Sequence, residues 1–315
     1  MRVVFMGSPE FAVPPLEQLI LNQYPVVAVY TQPDRAAGRG RSLVAPPVKA
    51  AAKSLGLEVV QPPSLKEAKA VEQLAQFRPD VIVVAAFGQL LPRSVLEIPR
   101  LGAVNVHPSL LPRFRGASPV AATILAGDEF GGVSIMLLDE GMDTGPVLAR
   151  AQVPVSALDT TGSLTTKLSL VGARLLLSAL CHYSRGELTP QPQNESEATY
   201  SSPIAKEEGE IDWHLPAVEL WRRVRAFYPW PGCYTRWQGK QLKIIEALPL
   251  SSPSRKGRTK VGEVVVLSSA AAFGVGTGDG VLGISRLQLE GKRAMSSAEF
   301  LRGQRAFIGA ILPSS

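Results

Sequence analysis

A chain of 315 residues is long enough for two domains with sizeable cores. With 45% hydrophobic and 19% charged residues its composition is that of a globular protein, which excludes a disordered chain. The net charge of +6 is unevenly placed: residues 1–205 hold 17 basic and 17 acidic side chains and residues 206–315 hold 16 and 10, so the excess lies in the last third and suggests a polyanionic partner there, against the ordinary alternative of basic residues that only keep a small domain soluble.

The first ten residues, MRVVFMGSPE, hold no long apolar run, and no stretch of about 18 uncharged apolar residues follows, so no secreted or membrane-bound protein is expected. Residues 2–6 predict a first strand, Gly7-Ser8-Pro9 a turn, and residues 10–22 a helix. Val26–Tyr30 predicts a second strand, and residues 80–86, DVIVVAA, a strand buried on both faces, as in a parallel sheet. Helical periodicity over residues 47–55 and 65–77 completes the alternation of a doubly wound, mostly parallel α/β sheet of Rossmann-like type. The turn after the first strand has one glycine where a dinucleotide fingerprint needs three, and no phosphate-binding G-x-x-x-x-G-K-[ST] occurs, so neither NAD, FAD nor nucleotide hydrolysis is implied.

An apolar stretch, residues 101–104, runs into Asn105, Val106 and His107 and then into a loop bounded by Pro108 and Pro112. Side chains alternate along an extended segment, so Asn105 and His107 leave on one face at the end of a strand, where open α/β sheets bind ligands. Residues 133–138 predict another strand, leading to the acidic Asp139-Glu140-Gly141-Met142-Asp143-Thr144-Gly145-Pro146 loop. A helix is expected from after Thr160 to about Tyr183, and residues 186–202, rich in Gln, Glu, Ser, Thr and Pro, read as a linker. The expected domains are therefore 1–185, a linker over 186–205, and 206–315. After a helix at Ala217–Ala226, short β-like runs at residues 234–237, 242–247, 262–267 and Val281–Leu289 predict a small antiparallel barrel, with the oligonucleotide-binding (OB) barrel as one candidate.

Of the three histidines, His182 and His214 read as structural, whereas His107 shares its strand face with Asn105. A histidine that merely caps the loop after a strand is the plain alternative. Asp143 weighs against it, because a carboxylate near the ring raises its pKa and lets it donate near neutral pH. Two donors converging on one point suit a carbonyl oxygen becoming an oxyanion, so Asn105, His107 and Asp143 suggest acyl-type transfer. No protein nucleophile is evident: Ser109 lacks the G-x-S-x-G turn, and Cys181 and Cys233 lie far from these residues. The two cysteines have no metal-ligand spacing, so no disulfide framework or metal site is expected, in keeping with a reducing compartment.

NVHPSLLPRFRGASP with a downstream DTG resembles the shared signature of folate-dependent formyltransferases, and GSPEFA, TQPDRAAGRG, KEEGEIDW and RAFYPWPG extend the resemblance, in order and spacing, to the branch of that family acting on methionyl-tRNA. The resemblance implies formyl transfer from 10-formyltetrahydrofolate, a co-substrate, to the amino group of methionyl-initiator tRNA in the bacterial cytoplasm or an organellar matrix. It implies no metal, membrane or stable protein partner. Carried over by motif, Asn105, His107 and Asp143 form the catalytic group and Ser109, Leu110, Leu111 and Pro112 line the folate's slot. The bottom-up reading agrees: the substrate amine is its own nucleophile, titrating near pH ~7.7–8.0.

Two basic segments bear on the RNA. Arg35, Arg39, Arg41, Lys49 and Lys53 face one acid, Asp34, in the loop after the second strand, and in this family the corresponding loop enters the acceptor stem. Residues 213–243 mix all four tryptophans with Arg222, Arg223, Arg225, Arg236, Lys240 and Lys243; most of the tryptophans read as core and the cations as an RNA face. Lys256 sits in a further acid-free basic turn with Arg255, Arg258 and Lys260. The rival readings are another enzyme using 10-formyltetrahydrofolate (a hydrolase, a dehydrogenase domain or a small-amine formyltransferase) and a non-catalytic RNA-binding relative. The arginine-rich loop counts against a small acceptor, and the Asn105, His107 and Asp143 group against a pure binder.

Overall fold

The computed structural model describes residues 1–37, 42–250, 259–267 and 271–313. The chain forms two compact units: Met1–Pro119, Phe130–Pro154 and Thr165–Ser202 make the first, and Val120–Glu129, Val155–Leu164 and Pro203–Ser315 the second. The expected linker is split by this division. Residues 186–202 belong to the first unit, held by Gln191 pairing with Val147 and by the short parallel pairing of Tyr200–Ser201 with Arg115–Gly116.

The first unit is built on a seven-stranded sheet of β1 (Val3–Gly7), β2 (Val26–Tyr30), β3 (Val59–Val60), β4 (Val81–Ala85), β5 (Ala103–His107), β6 (Phe130–Leu137) and β7 (Val147–Pro154). Their spatial order is β7-β6-β5-β4-β1-β2-β3; β1 to β5 are parallel, and β6 and β7 add an antiparallel edge. The apolar sequences VVFMG and VIVVA of β1 and β4 are buried along their whole length, as helices on both faces require. α1 (Val13–Leu21), α2 (Pro47–Ser54) and α3 (Ala68–Gln76) follow β1, the loop after β2, and β3. The chain winds to one side from β1 through β3 and returns to β4 on the other, so the order reverses between β1 and β4. There Gly7 is required, because a Cβ would come within 2.7 Å of Ala12 Cβ and 2.9 Å of the Ala85 carbonyl oxygen. β5 lies next to β4, and its carboxyl end carries the site.

α4 (Thr161–Ser184) covers the sheet with its small face: a Cβ on Gly172 would lie 2.9 Å from Val106 and 3.1 Å from Val133. It is long and apolar enough to cross a membrane by length and composition, yet it carries Lys167 and Arg174 and buries Leu168, Leu176 and Leu180.

The second unit contains α5 (Ala217–Ala226) and an antiparallel sheet of β8 (Cys233–Trp237), β9 (Lys240–Leu250), β10 (Val264–Val266), β11 (Phe273–Gly276) and β12 (Val281–Leu289), in the order β8-β9-β12-β11-β10, with β13 (Met295–Ser296) added on β12. This is the curled sheet of a small barrel, filled by Trp237, Phe273, Phe300 and Phe307, whose rings meet largely edge to face at 5.0–6.3 Å. Of the tryptophans, Trp213 and Trp237 are buried, while Trp230 is exposed. β11, half glycine, and the edge strand β7 are elements that the sequence pattern did not predict.

Candidate active site

The end of β5 brings Asn105 and His107 to one face, with residue exposures of 9% and 4%. β5 is flanked by β4, pairing Asn105 with Val84, and by β6, pairing His107 with Ser134, so both backbones are fixed. Among the described residues the Asn105 side-chain amide makes no hydrogen bond. The amide nitrogen and oxygen are not among the buried polar atoms that lack a partner, so they face open space at the strand end and are free to bond a ligand.

The His107 ring is held on both sides. Nε2 lies 3.1 Å from the Phe114 carbonyl, which can only accept, so this nitrogen carries a proton; Nδ1 lies 3.7 Å from Asp143 Oδ2. Asp143 therefore comes to the histidine as expected. The protonation state does not follow the expectation. Burial lowers the ring's pKa below its ordinary 6.5, and the Asp143 carboxylate and Phe114 carbonyl offset this only in part. The ring rests neutral near pH 7 and still donates through Nε2.

Asp143 sits in the left-handed region at φ 55°, a conformation that is costly for a side chain with a Cβ and persists when its surroundings enforce it. Its Oδ2 accepts the Gly116 N–H at 2.8 Å, and Gln193 Nε2 donates to the carbonyls of Asp143 (2.8 Å) and Gly145 (2.7 Å). Gln193 was not among the residues expected at the site; its polar neighbours read as linker.

The loop after His107 is a packed scaffold. Ser109 Oγ donates to the Arg113 carbonyl at 2.6 Å, and Ser134 Oγ donates to the Ser109 carbonyl and accepts from Leu111 N–H. Ser109, Leu111 and Pro112 are buried; Leu110 is half-buried and packs over Gly132, where no Cβ would fit beside it. Of the four residues assigned to a folate slot, Leu110 is thus the one whose side chain is partly open. Arg115, unassigned by sequence, is wholly buried.

The residues assigned to RNA divide differently. Arg35 is exposed on a short strand, with Nη2 donating to Gln32 Oε1 at 3.0 Å; Arg39, Arg41 and Lys256 lie outside the described residues. Lys49 is not a free cation: both Asp34 oxygens accept from it at 2.7 Å, holding the Asp34 carboxyl below its usual range. On α5, the Arg222 guanidinium packs on Gly127, while Arg223 lies 3.5 Å from Glu219 and over the Phe227 ring. Trp221, Arg222 and Arg225 line a cavity of about 200 Å³ in the second unit. Arg225 is buried there, donates to the Ser156 and Asp159 carbonyls, and stacks on Trp221 at 3.8 Å, so it supports the fold. Burial pushes the Cys233 thiol up to about 12, which leaves it unreactive. Among the described residues no group of three His, Cys, Asp or Glu side chains could hold a metal ion.

Comparison with known proteins matches residues 1–180 to the formyl transferase family model and residues 203–305 to the model of the formyl transferase C-terminal domain. A methionyl-tRNA formyltransferase of Dehalococcoides mccartyi (strain 195) is 52% identical over 99% of this chain and 98% of its own, and one of Roseiflexus sp. (strain RS-1) is 48% identical over 97% and 93%. A sugar 3N-formyl transferase, WlaRD, whose structure was determined with dTDP and 5-N-formyl-THF, shares the fold at a TM-score of 0.65 and 17% identity, covering 93% of this chain and 99% of that one.

Proposed function

The chain belongs to the methionyl-tRNA formyltransferases of the formyl transferase family, and from this we infer that it transfers a formyl group to the α-amino group of methionyl-initiator tRNA. The donor we propose is 10-formyltetrahydrofolate; the folate bound by the sugar formyl transferase of the same fold supports a folate donor. The relatives are bacterial, which fits a cytoplasmic enzyme.

In this reading the neutral fraction of the methionyl amine attacks the formyl carbon. A tetrahedral centre forms, its oxygen becomes negative, and the bond to the folate nitrogen then breaks. Asn105 supplies a donor that never titrates and has no competing partner. His107 supplies a second if its Nε2–H exchanges the Phe114 carbonyl for the oxyanion. As negative charge builds beside it, the ring becomes a better proton acceptor at Nδ1, facing Asp143. The proton lost by the amine passes to the leaving folate nitrogen with the assistance of Asp143, so no covalent enzyme intermediate is needed. Leu110 is the loop side chain we assign to contact with the folate, with Ser109, Leu111 and Pro112 as its support. Arg35, Arg39, Arg41, Arg222, Arg223 and Lys256 are our assignments for tRNA contact, on the acceptor stem for the first three.

The observation that carries this mechanism is the unpartnered Asn105 amide beside a histidine held by Phe114 and Asp143. It is tested by incubating the protein with 10-formyltetrahydrofolate and charged initiator tRNA, charged elongator tRNA, or no acceptor. Transfer to initiator tRNA is expected. Formate release without an acceptor, at the same rate, would overturn the reading.

A further inference from the structure

Residues 114–116 touch both members of the histidine–carboxylate pair. The Phe114 carbonyl accepts from His107 Nε2, and the Gly116 N–H donates to Asp143 Oδ2, the same oxygen that faces His107 Nδ1. Arg115 stands between them with its side chain directed away and wholly buried.

All five guanidinium N–H groups of Arg115 have acceptors. Nε and Nη2 donate to Gln193 Oε1 at 3.1 and 3.0 Å, Nη2 also to Glu195 Oε1 at 2.7 Å, and Nη1 to Glu195 Oε2 at 2.9 Å and Tyr200 Oη at 3.2 Å. The Glu195 partner raises the Arg115 pKa above its already high ordinary value, so the cation is permanent. Gln193 is equally committed: its oxygen takes two bonds from Arg115, and its amide gives two, to the Asp143 and Gly145 carbonyls. The backbone closes the frame, with Arg115 N–H donating to the Thr199 carbonyl at 2.8 Å and Phe114 N–H to Thr199 Oγ1 at 2.9 Å.

We propose that Arg115 and Gln193 are positioning residues for formyl transfer: Arg115 anchors the Phe114 and Gly116 backbone groups that orient His107 and Asp143, and Gln193 locks the left-handed Asp143 turn onto that anchor. The proposal rests on the catalytic reading of His107 and Asp143 given above. A buried cation with five satisfied donors is far stiffer than a loop held by backbone alone, and misplacing a reacting group by about 1 Å can cost about 10²-fold in rate. Neither residue needs to touch a substrate.

The test is Gln193→Glu beside Gln193→Met. Glutamate keeps acceptors for Arg115 but has no N–H for the Asp143 and Gly145 carbonyls; methionine loses both sets of bonds at similar length. Both variants should lower kcat by 10-fold or more with KM for each substrate within about twofold. A second readout needs no substrate: the chain has only three histidines, so the His107 titration can be followed by nitrogen-15 histidine NMR. Asp143 is the charged group that acts on the ring, alongside burial and the Phe114 carbonyl, and it raises the pKa; if the carboxylate drifts away, the His107 pKa and the acid limb of the rate should both move lower. Folded variants with unchanged kcat overturn the proposal. So does a fall in activity that only follows the folded fraction in thermal melts, with the His107 titration unmoved. Asp143→Asn and His107→Ala run alongside: if these stay active the catalytic reading itself has failed, whereas if they are inactive while the Gln193 variants are normal, only the positioning proposal has.

Discussion

Asn105→Leu separates catalysis from folding more cleanly than any other change in the site. The side chain is nearly buried, with a residue exposure of 9%, and makes no hydrogen bond among the described residues, so its removal breaks no structural bond. The amide atoms are not among the buried unpartnered ones, and leucine keeps the branching at Cγ without a polar group; the variant should melt close to the wild-type temperature. In the proposed reaction the same amide is one of two donors to the oxyanion. Losing one such donor costs about 10²–10³ in rate, or about 2.7–4 kcal/mol of transition-state stabilisation. Single-turnover transfer at saturating donor and charged tRNA should therefore fall by that factor, with an unchanged pH profile because His107 and Asp143 keep their contacts. A rate within about threefold of wild type would refute the oxyanion assignment. A large drop in melting temperature would show that the amide serves the fold instead.

The pH dependence of stability follows from His107. Its folded pKa is lowered, so between that value and 6.5 the unfolded chain binds more protons than the native one. The contribution of this residue is complete above 6.5 and is lost as the pH falls through that window, at up to about 1.4 kcal/mol per pH unit; denaturant midpoints of wild type and His107→Gln should converge on acidification, and parallel curves would contradict the lowered pKa. Arg35→Gln should weaken tRNA binding and reduce the slope of log K against log salt by about one, with the KM for folate unchanged, and an unaltered slope would remove Arg35 from the RNA contacts. Trp237→Ala opens the ring cluster around Phe300 and Phe307 and should cost about 3–5 kcal/mol in urea unfolding of the second unit; a loss under 1 kcal/mol would mean the cluster does not hold the barrel together.

The parts of this protein legible in its sequence are those whose signal is local. VIVVA is a buried strand whichever way it faces, and the two-residue spacing of Asn105 and His107 fixes a shared face before any fold is known. β7 escaped notice because LARAQVP mixes a charge and polar residues along an edge strand, and β11 because FGVG has the composition of a turn. Lys49 counted as a free cation until the fold set it on Asp34. The titration of His107 needed both causes, and only the carboxylate was visible in the sequence; the burial that outweighs it exists only once the chain has folded. The Arg115–Gln193 contact spans 78 residues, and its far end lies in a stretch rich in Gln, Glu, Ser and Thr. A polar segment whose side chains are spent on buried backbone carbonyls has the same composition as one bathed in water. Composition therefore reads it as linker, although the Gln193 amide holds the left-handed Asp143 turn and the Glu195 carboxylate holds Arg115 beside it.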